Sequence, residues 1–348
     1  DVECRKLLLL LKILSLFTKI LHYLPGEISH NLGLKSLKIL DTIGLLRLVV
    51  NTENFSKSSE LNDKKLNSFF KIKNRLGIAA GLDKNGEYIS CLAALGVGFI
   101  ELGTVTPLPQ DGNRKPRLFR NRLEKSLLNR LGFNNKGVDY LVDRLRKNTS
   151  NVTLGISIGK NFDTPNESAH LDYEICMKKV YEYSDYIAVN ISSPNTEGLR
   201  ELSGRSYLDF LLKNLKTLQS QLSKQHGYKP LFLKISPDES NENLNYICES
   251  VLRHDIDGII CTNTTINHKD AQGKGGLSGK PLKEISTLKL KFVKNIVGNE
   301  VPIIASGGVM SQVDYEEKIS SGASLVQVYT GLIFEGPQLI SNILNSKS

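Results

Sequence analysis

Cysteine is scarce in this 348-residue chain, and the few present form no pattern. They stand at 4, 91, 176, 248 and 261, with no CxxC pair and no cluster with histidine. A disulfide scaffold, a zinc finger and a Cys-ligated iron–sulfur centre all need such pairs and are excluded. Cysteines this thinly spread suit a reducing compartment, each as a small buried hydrophobe. The chain also lacks the GxGxxG signature of a dinucleotide-binding doubly wound sheet. A His/Glu set at metal-ligand spacing is missing too, which disfavours a metal hydrolase, and no metal site is expected. No basic run interleaved with aromatics marks a nucleic-acid surface. Lysines interrupt the longest apolar stretch, so it does not read as a plain transmembrane helix.

What is present is ordinary for a globular protein: 40% hydrophobic and 23% charged residues. The net charge of +9 is uneven. Residues 1–75 hold 13 Lys/Arg against 7 Asp/Glu, a net of +6, which leaves +3 for the other 273 residues. A basic N-terminal segment with no basic run interleaved with aromatics points to anionic lipid more than to nucleic acid. Within it, Arg5, Lys12, Ser15, Lys19 and His22 fall on one face of a helix over 4–24 whose remainder is Leu, Ile and Phe. Pro25-Gly26 breaks this helix, and a second helical pattern runs from Glu27 to about Leu40. The hairpin suits the interface of a bilayer; packing on the following domain is the competing use of the same face. The first residue is Asp rather than Met, from which removal of an upstream targeting or anchoring segment is expected. The expected organisation is a membrane-associating hairpin over 1–50, a linker and lead-in over 51–75, and one domain over 76–348.

From residue 76, eight short apolar runs recur at 76–81, 98–104, 153–159, 186–192, 230–236, 257–263, 301–308 and 323–330. They are continuous rather than alternating, as in parallel strands buried on both faces. Helical stretches such as 140–148, 207–222 and 242–254 separate them. Eight such units predict an α/β fold, a (β/α)8 TIM barrel, with the doubly wound sheet as runner-up. A barrel places its active site just beyond the C-terminal ends of its strands. Those ends carry Gly81 and Lys84, Thr104, Lys160-Asn161, Asn190 to Asn195, Lys234, Thr262 to Thr265, Gly307-Gly308, and Tyr329-Thr330. Polar endings on eight apolar strands in succession are hard to assign to caps alone. The last two suit a phosphate held by backbone N–H groups. Lys84 and Lys234 then call for an anionic occupant, a carboxylate substrate and an anionic cofactor.

The motifs AAGLDKNGE (79–87), GTVTPLPQDGNRKPRLFR (103–120), NRLGFNN (129–135), SIGKNFDTP (157–165), VNISSPNTEGLR (189–200), CTNTT (261–265), GGLSGKPL (275–282) and ASLVQVYTG (323–331) resemble class 2, quinone-dependent dihydroorotate dehydrogenase. The resemblance spans roughly residues 25–340, and its wording is closest to apicomplexan parasite members. It implies an FMN-containing barrel that oxidises dihydroorotate to orotate in pyrimidine biosynthesis and passes electrons to a membrane quinone of the ubiquinone type. By resemblance, Ser193 is the catalytic base, where class 1 relatives carry Cys. Lys84, Asn129, Phe133, Asn190, Asn195, Asn263 and Thr264 hold the substrate. Ala80, Gly81, Lys84, Thr104, Asn190, Lys234, Thr262, Gly279, Gly308, Tyr329 and Thr330 hold FMN. Ser157 stands where many members have a flavin-contacting Asn and is carried over as a cofactor contact. His30 and Arg120 line the quinone entry. The resemblance implies the mitochondrial inner membrane, with the cytoplasmic face of a bacterial inner membrane as the alternative. A soluble class 1-like dihydroorotate oxidase and a non-catalytic flavin-binding barrel are the competing functions.

Overall fold

Eight apolar runs become eight parallel strands. The computed structural model describes residues 18–46, 64–196, 198–270 and 272–345. Among them eleven strands form: β1 (Leu76–Ile78), β2 (Phe99–Val105), β3 (Leu118–Asn121), β4 (Ser126–Asn129), β5 (Thr153–Ile158), β6 (Tyr186–Asn190), β7 (Leu231–Ile235), β8 (Gly258–Cys261), β9 (Gly276–Gly279), β10 (Ile303–Ser306) and β11 (Leu325–Val328). β1, β2, β5, β6, β7, β8, β10 and β11 close into a barrel in that order, β11 pairing back onto β1. This is the expected TIM barrel: seven of its strands lie within the apolar runs, and β2 extends one residue beyond its run, to Val105. The doubly wound sheet is excluded by the closure.

The barrel interior is filled by large rings set against glycines. A side chain at Gly77 would meet the Phe99 ring at 2.4 Å, one at Gly155 the Tyr186 ring at 2.0 Å, and one at Gly258 the Phe232 ring at 2.1 Å. Each large ring thus sits in register with a glycine on a neighbouring strand, which fits large side chains into a closed cylinder. Leu66, near the middle of helix α2 (Lys64–Phe69), and the following Phe70 join this interior cluster.

Strands β3, β4 and β9 form a separate antiparallel sheet that the sequence reading did not anticipate. Each is four residues long, and β9 is half glycine, so none shows the apolar run of a barrel strand.

Helix α1 (Gly26–Thr42) follows Pro25, close to the expected Glu27 to Leu40. It has two apolar faces. Leu34, Leu37 and Leu40 pack into the main core, while Ile28, Leu32, Ile39 and Ile43 are exposed along one stripe. Packing on the barrel therefore uses only one of the two faces, and the other stripe is left exposed. Most of the amphipathic stretch before Pro25, the last four residues of the expected hairpin (47–50) and residues 51–63 of the linker lie outside the described residues. His22 faces the barrel rather than solvent: its Nε2 lies 3.1 Å from the Ile333 carbonyl and its ring packs on Phe334.

Candidate active site

The turn after β1 is organised by Asp83. Its carboxylate accepts hydrogen bonds from the backbone N–H groups of Asn85, Glu87 and Tyr88. That cap fixes the turn and aims Lys84 into the cavity at the C-terminal end of the barrel. Lys84 Nζ donates to Asn134 Oδ1 at 2.5 Å. Burial, reinforced by the nearby Arg117 charge and opposed by Glu27, brings the Lys84 ammonium down to about 7. Lys84 keeps some open surface, and it borders the cavity.

The end of β2 supplies Thr104, whose Oγ1 accepts from Asn190 Nδ2 at 2.8 Å. The same Thr104 oxygen lies 2.8 Å from Ser157 Oγ. Ser157 itself is fully buried and does not border the cavity. The expected contact of Ser157 with the cofactor has no direct opening here: its hydroxyl is turned onto Thr104, which does border the cavity. Lys160 and Asn161 also stay outside. Lys160 Nζ serves the Asn161 and Thr164 carbonyls, and Asn161 Nδ2 ties down the 106–110 loop. That strand ending is structural, so the polar endings are not all part of the site.

The asparagines form a connected set. Asn195 Nδ2 donates to Asn129 Oδ1 at 2.8 Å, and Asn129 Nδ2 donates to the Gly276 carbonyl at 2.9 Å. Asn263 Nδ2 donates to Ser192 Oγ at 3.1 Å, and Asn263 Oδ1 accepts from the Thr264 amide. Ser193 is buried at the cavity wall, its Oγ accepting from the Asn195 amide at 3.3 Å. Phe133 borders the same space with φ at 52°, an uncommon backbone for a side chain of its size. Its carbonyl is pinned by Asn135 Nδ2 at 2.7 Å.

The remaining expected residues, Ala80, Gly81, Lys234, Thr262, Gly279, Gly308, Tyr329 and Thr330, border the same cavity. Gly308 lies so close to helix Lys283–Val297 that a Cβ would stand 2.2 Å from Lys283 Cα. Only bare backbone fits there, which suits phosphate binding by N–H groups. Gln327 Oε1 is buried at the cavity without a hydrogen-bond partner. A lysine at the floor, bare glycine backbone at one end and an unpartnered amide oxygen fit a polar aromatic cofactor that ends in phosphate. Among the described residues the lining contains no His, Asp, Glu or Cys, and no group of three or more such residues could hold a metal ion.

A second cavity lies between α1 and the barrel, and both His30 and Arg120 line it. Its other walls are largely Leu, Ile and Gly. Burial, with the Lys84 charge behind it, brings His30 down to about 4, so the imidazole is neutral at neutral pH. Arg120 holds the hairpin turn, donating to the Leu21 carbonyl at 3.0 Å and to Ser29 Oγ at 2.8 Å. Its Nε–H is buried with no partner. Leu118 of β3 and Leu127 of β4 line both cavities, so the unanticipated sheet is the partition between them.

Asp83, Arg117, Ser192 and Gln327 shape these sites and were not singled out from the sequence. Arg117 stood inside a quoted motif, and Ser192 sits one position before Ser193; neither position alone tells a supporting residue from a contacting one. Asp83 gave a usable signal, an acid at a strand end followed by three residues whose amides need an acceptor.

A family model described as dihydroorotate dehydrogenase matches residues 65–346. The dihydroorotate dehydrogenase (quinone) of Vibrio parahaemolyticus is 53% identical over 281 residues, covering 79% of this chain and 84% of its own. That of Hamiltonella defensa is 47% identical over 339 residues, covering 95% and 98%. Among solved structures, the DHODH of Eimeria tenella in complex with ferulenol matches with a TM-score of 0.79 at 32% identity, covering 92% of this chain and 90% of that one.

Proposed function

The chain belongs to the dihydroorotate dehydrogenase family, in its quinone-dependent class, and from that premise we propose how its residues divide the work. It oxidises dihydroorotate to orotate and passes the electrons to a quinone, a step of pyrimidine biosynthesis. The cavity would hold a flavin, FMN in this reading, which would supply a hydride acceptor. Lys84 supplies charge for the substrate carboxylate. Asn129, Asn190, Asn195 and Asn263 match the alternating N–H and C=O groups of the pyrimidine ring. Thr264 and Phe133 complete that pocket. Ser193 takes the C5 proton. With no carboxylate or imidazole among the described lining residues, the relay that serine needs runs through hydroxyls and water. Lys234, Thr104 and the glycines hold the cofactor.

One observation carries this reading: a single cavity gathers two lysines, four asparagines and Ser193 at the C-terminal mouth of the barrel. The test is colour. Purified protein should be yellow, bleach with dihydroorotate in the absence of oxygen, and recover with a quinone. A colourless protein indifferent to dihydroorotate would favour the non-catalytic barrel. Bleaching that recovers with fumarate or NAD but not with quinone would favour the class 1-like reading.

The quinone reading rests on the apolar cavity under α1, where neutral His30 and the unpartnered Nε–H of Arg120 offer hydrogen bonds to a carbonyl. The exposed stripe Ile28, Leu32, Ile39 and Ile43, flanked by exposed Lys35 and Lys38, would lie at the surface of an anionic bilayer. No helix among the described residues is long and apolar enough to cross a membrane. The sequence relatives named above are bacterial, which favours the cytoplasmic face of a bacterial inner membrane over the mitochondrial placement.

Lys84 sets a pH dependence. Near neutrality the free ammonium is half-ionised, at about 7, and a bound carboxylate raises that value. Binding above pH 7 must therefore take up a proton, and orotate affinity should fall about tenfold per pH unit there. Calorimetry of the flavin-loaded protein at pH 8, in buffers of different ionisation enthalpy, should report uptake of about one proton. A dissociation constant that stays flat from pH 6 to 9 would remove Lys84 as the carboxylate's partner. Lys234→Ala should release flavin or lower its potential, because the cation at the cavity floor is lost. Full flavin content and an unchanged potential would end that assignment.

A further inference from the structure

Below the cavity floor, Lys234 and Gln327 join a buried cluster whose acid, Glu101, has no part in the chemistry above. Glu101 is fully buried in the barrel interior and does not border the cavity. Its Oε1 faces Lys234 Nζ at 3.3 Å. Its Oε2 accepts from Gln327 Nε2 at 2.6 Å and from Tyr186 OH at 3.1 Å. Four strands, β2, β6, β7 and β11, thus converge on one carboxylate. Burial, with the Glu101 charge beside it, pushes the Tyr186 phenol well above its ordinary value, so it remains a donor. An apolar side chain at 101 would fill this layer without the cost of desolvating a charge. Of the four residues, Lys234 and Gln327 also border the cavity, and Lys234 is the only one charged there.

We propose that Glu101 is a positioning residue for the redox step: it anchors Lys234 at the cavity floor and offsets part of that cation's charge, and so sets the potential of the bound flavin. This rests on the reading that the cavity holds flavin. A reduced flavin held in the cavity would carry added negative charge on the cavity side of Lys234. The ammonium favours that charge, and the carboxylate on its far side opposes it. Three hydrogen bonds spread the Glu101 charge and hold it at a fixed distance, so the opposition is built into the barrel.

The test is the flavin potential, measured by spectroelectrochemistry on the flavin-loaded protein. Glu101→Gln keeps the shape and removes the charge. It should raise the ratio of reduced to oxidised flavin at fixed potential at least tenfold, about 30 mV for a two-electron couple. Tyr186→Phe keeps both charges but takes one donor from the carboxylate, so the ratio should fall or stay within about threefold. A role in packing alone would move both variants in the same direction. An unchanged or lower ratio in Glu101→Gln overturns the proposal, as does a Tyr186→Phe rise of equal size. If Glu101→Gln does not fold, Glu101→Asp draws the carboxylate back from Lys234 and should raise the ratio at least threefold; no rise there also overturns it. A wild-type protein that binds no flavin overturns the cavity reading and this proposal together. Flavin that binds with an unmoved potential overturns the proposal alone.

Discussion

Ser193→Ala is expected to keep its flavin while the rate at which dihydroorotate bleaches it falls by about 10²–10⁴-fold, the usual contribution of a positioned base. Ser193 sits at the cavity wall and makes one modest contact, accepting from the Asn195 amide at 3.3 Å. Removing its oxygen therefore costs only about 1 kcal/mol of stability, and the alanine methyl fits where the serine Cβ was. No other described residue of the lining is placed to take over. With the substrate carboxylate bound, Lys84 is an ammonium donating to Asn134, and the asparagines are engaged with one another and with backbone. Stopped-flow absorbance at saturating dihydroorotate separates this step from quinone turnover. A variant that bleaches at close to the wild-type rate would take Ser193 out of the mechanism.

The barrel was legible because its strands are buried on both faces. A parallel strand such as Gly258–Cys261 reads as an unbroken apolar run, and the polar group that follows it, Thr262, then marks the site. The sheet of Leu118–Asn121, Ser126–Asn129 and Gly276–Gly279 was not legible. Its strands are short, two of its positions are bare glycine, and its partners are 147 residues apart where Asn129 meets Gly276. Yet this sheet divides the two cavities, so the layout of the electron path could not be read from local pattern. Ser157 shows a different limit. Its motif put it at the right strand end, but the direction of a side chain depends on the neighbouring strand, and Thr104 captures its hydroxyl. Glu101 did carry a signal, an acid inside the apolar run GFIELGT. A buried carboxylate needs partners, and Lys234 lies 133 residues away; only the closed barrel brings the two together.

Deleting residues 1–45 should uncouple the two half-reactions. Reduction of flavin by dihydroorotate should survive, because every residue placed around the barrel cavity lies beyond the cut. The cut also removes Glu27, the ion-pair partner of Arg117 at 3.0 Å. Arg117 still donates to the Asp111 and Asn113 carbonyls, and Asn113 Nδ2 still reaches the Asn195 carbonyl, so the loop over the substrate amides stays tied. The quinone side loses far more. His30 and the α1 wall of the apolar cavity disappear, and Arg120 loses Leu21, Leu24 and Ser29 together. A freed guanidinium turns to water, and the partition formed by Leu118 and Leu127 is left open on its outer side. Turnover with a long-tailed quinone should fall at least about tenfold, equivalent to ~1.4 kcal/mol of lost transition-state stabilisation. A small water-soluble acceptor, which needs no apolar entry, should be much less affected. Vesicle binding should weaken as well, since the exposed Ile28, Leu32, Ile39 and Ile43 stripe goes with the cut. Flavin content reports whether the shortened barrel is folded. A flavin-loaded truncation that still reduces long-tailed quinone at the full-length rate would reduce α1 to a packing helix and remove the second cavity from the electron path.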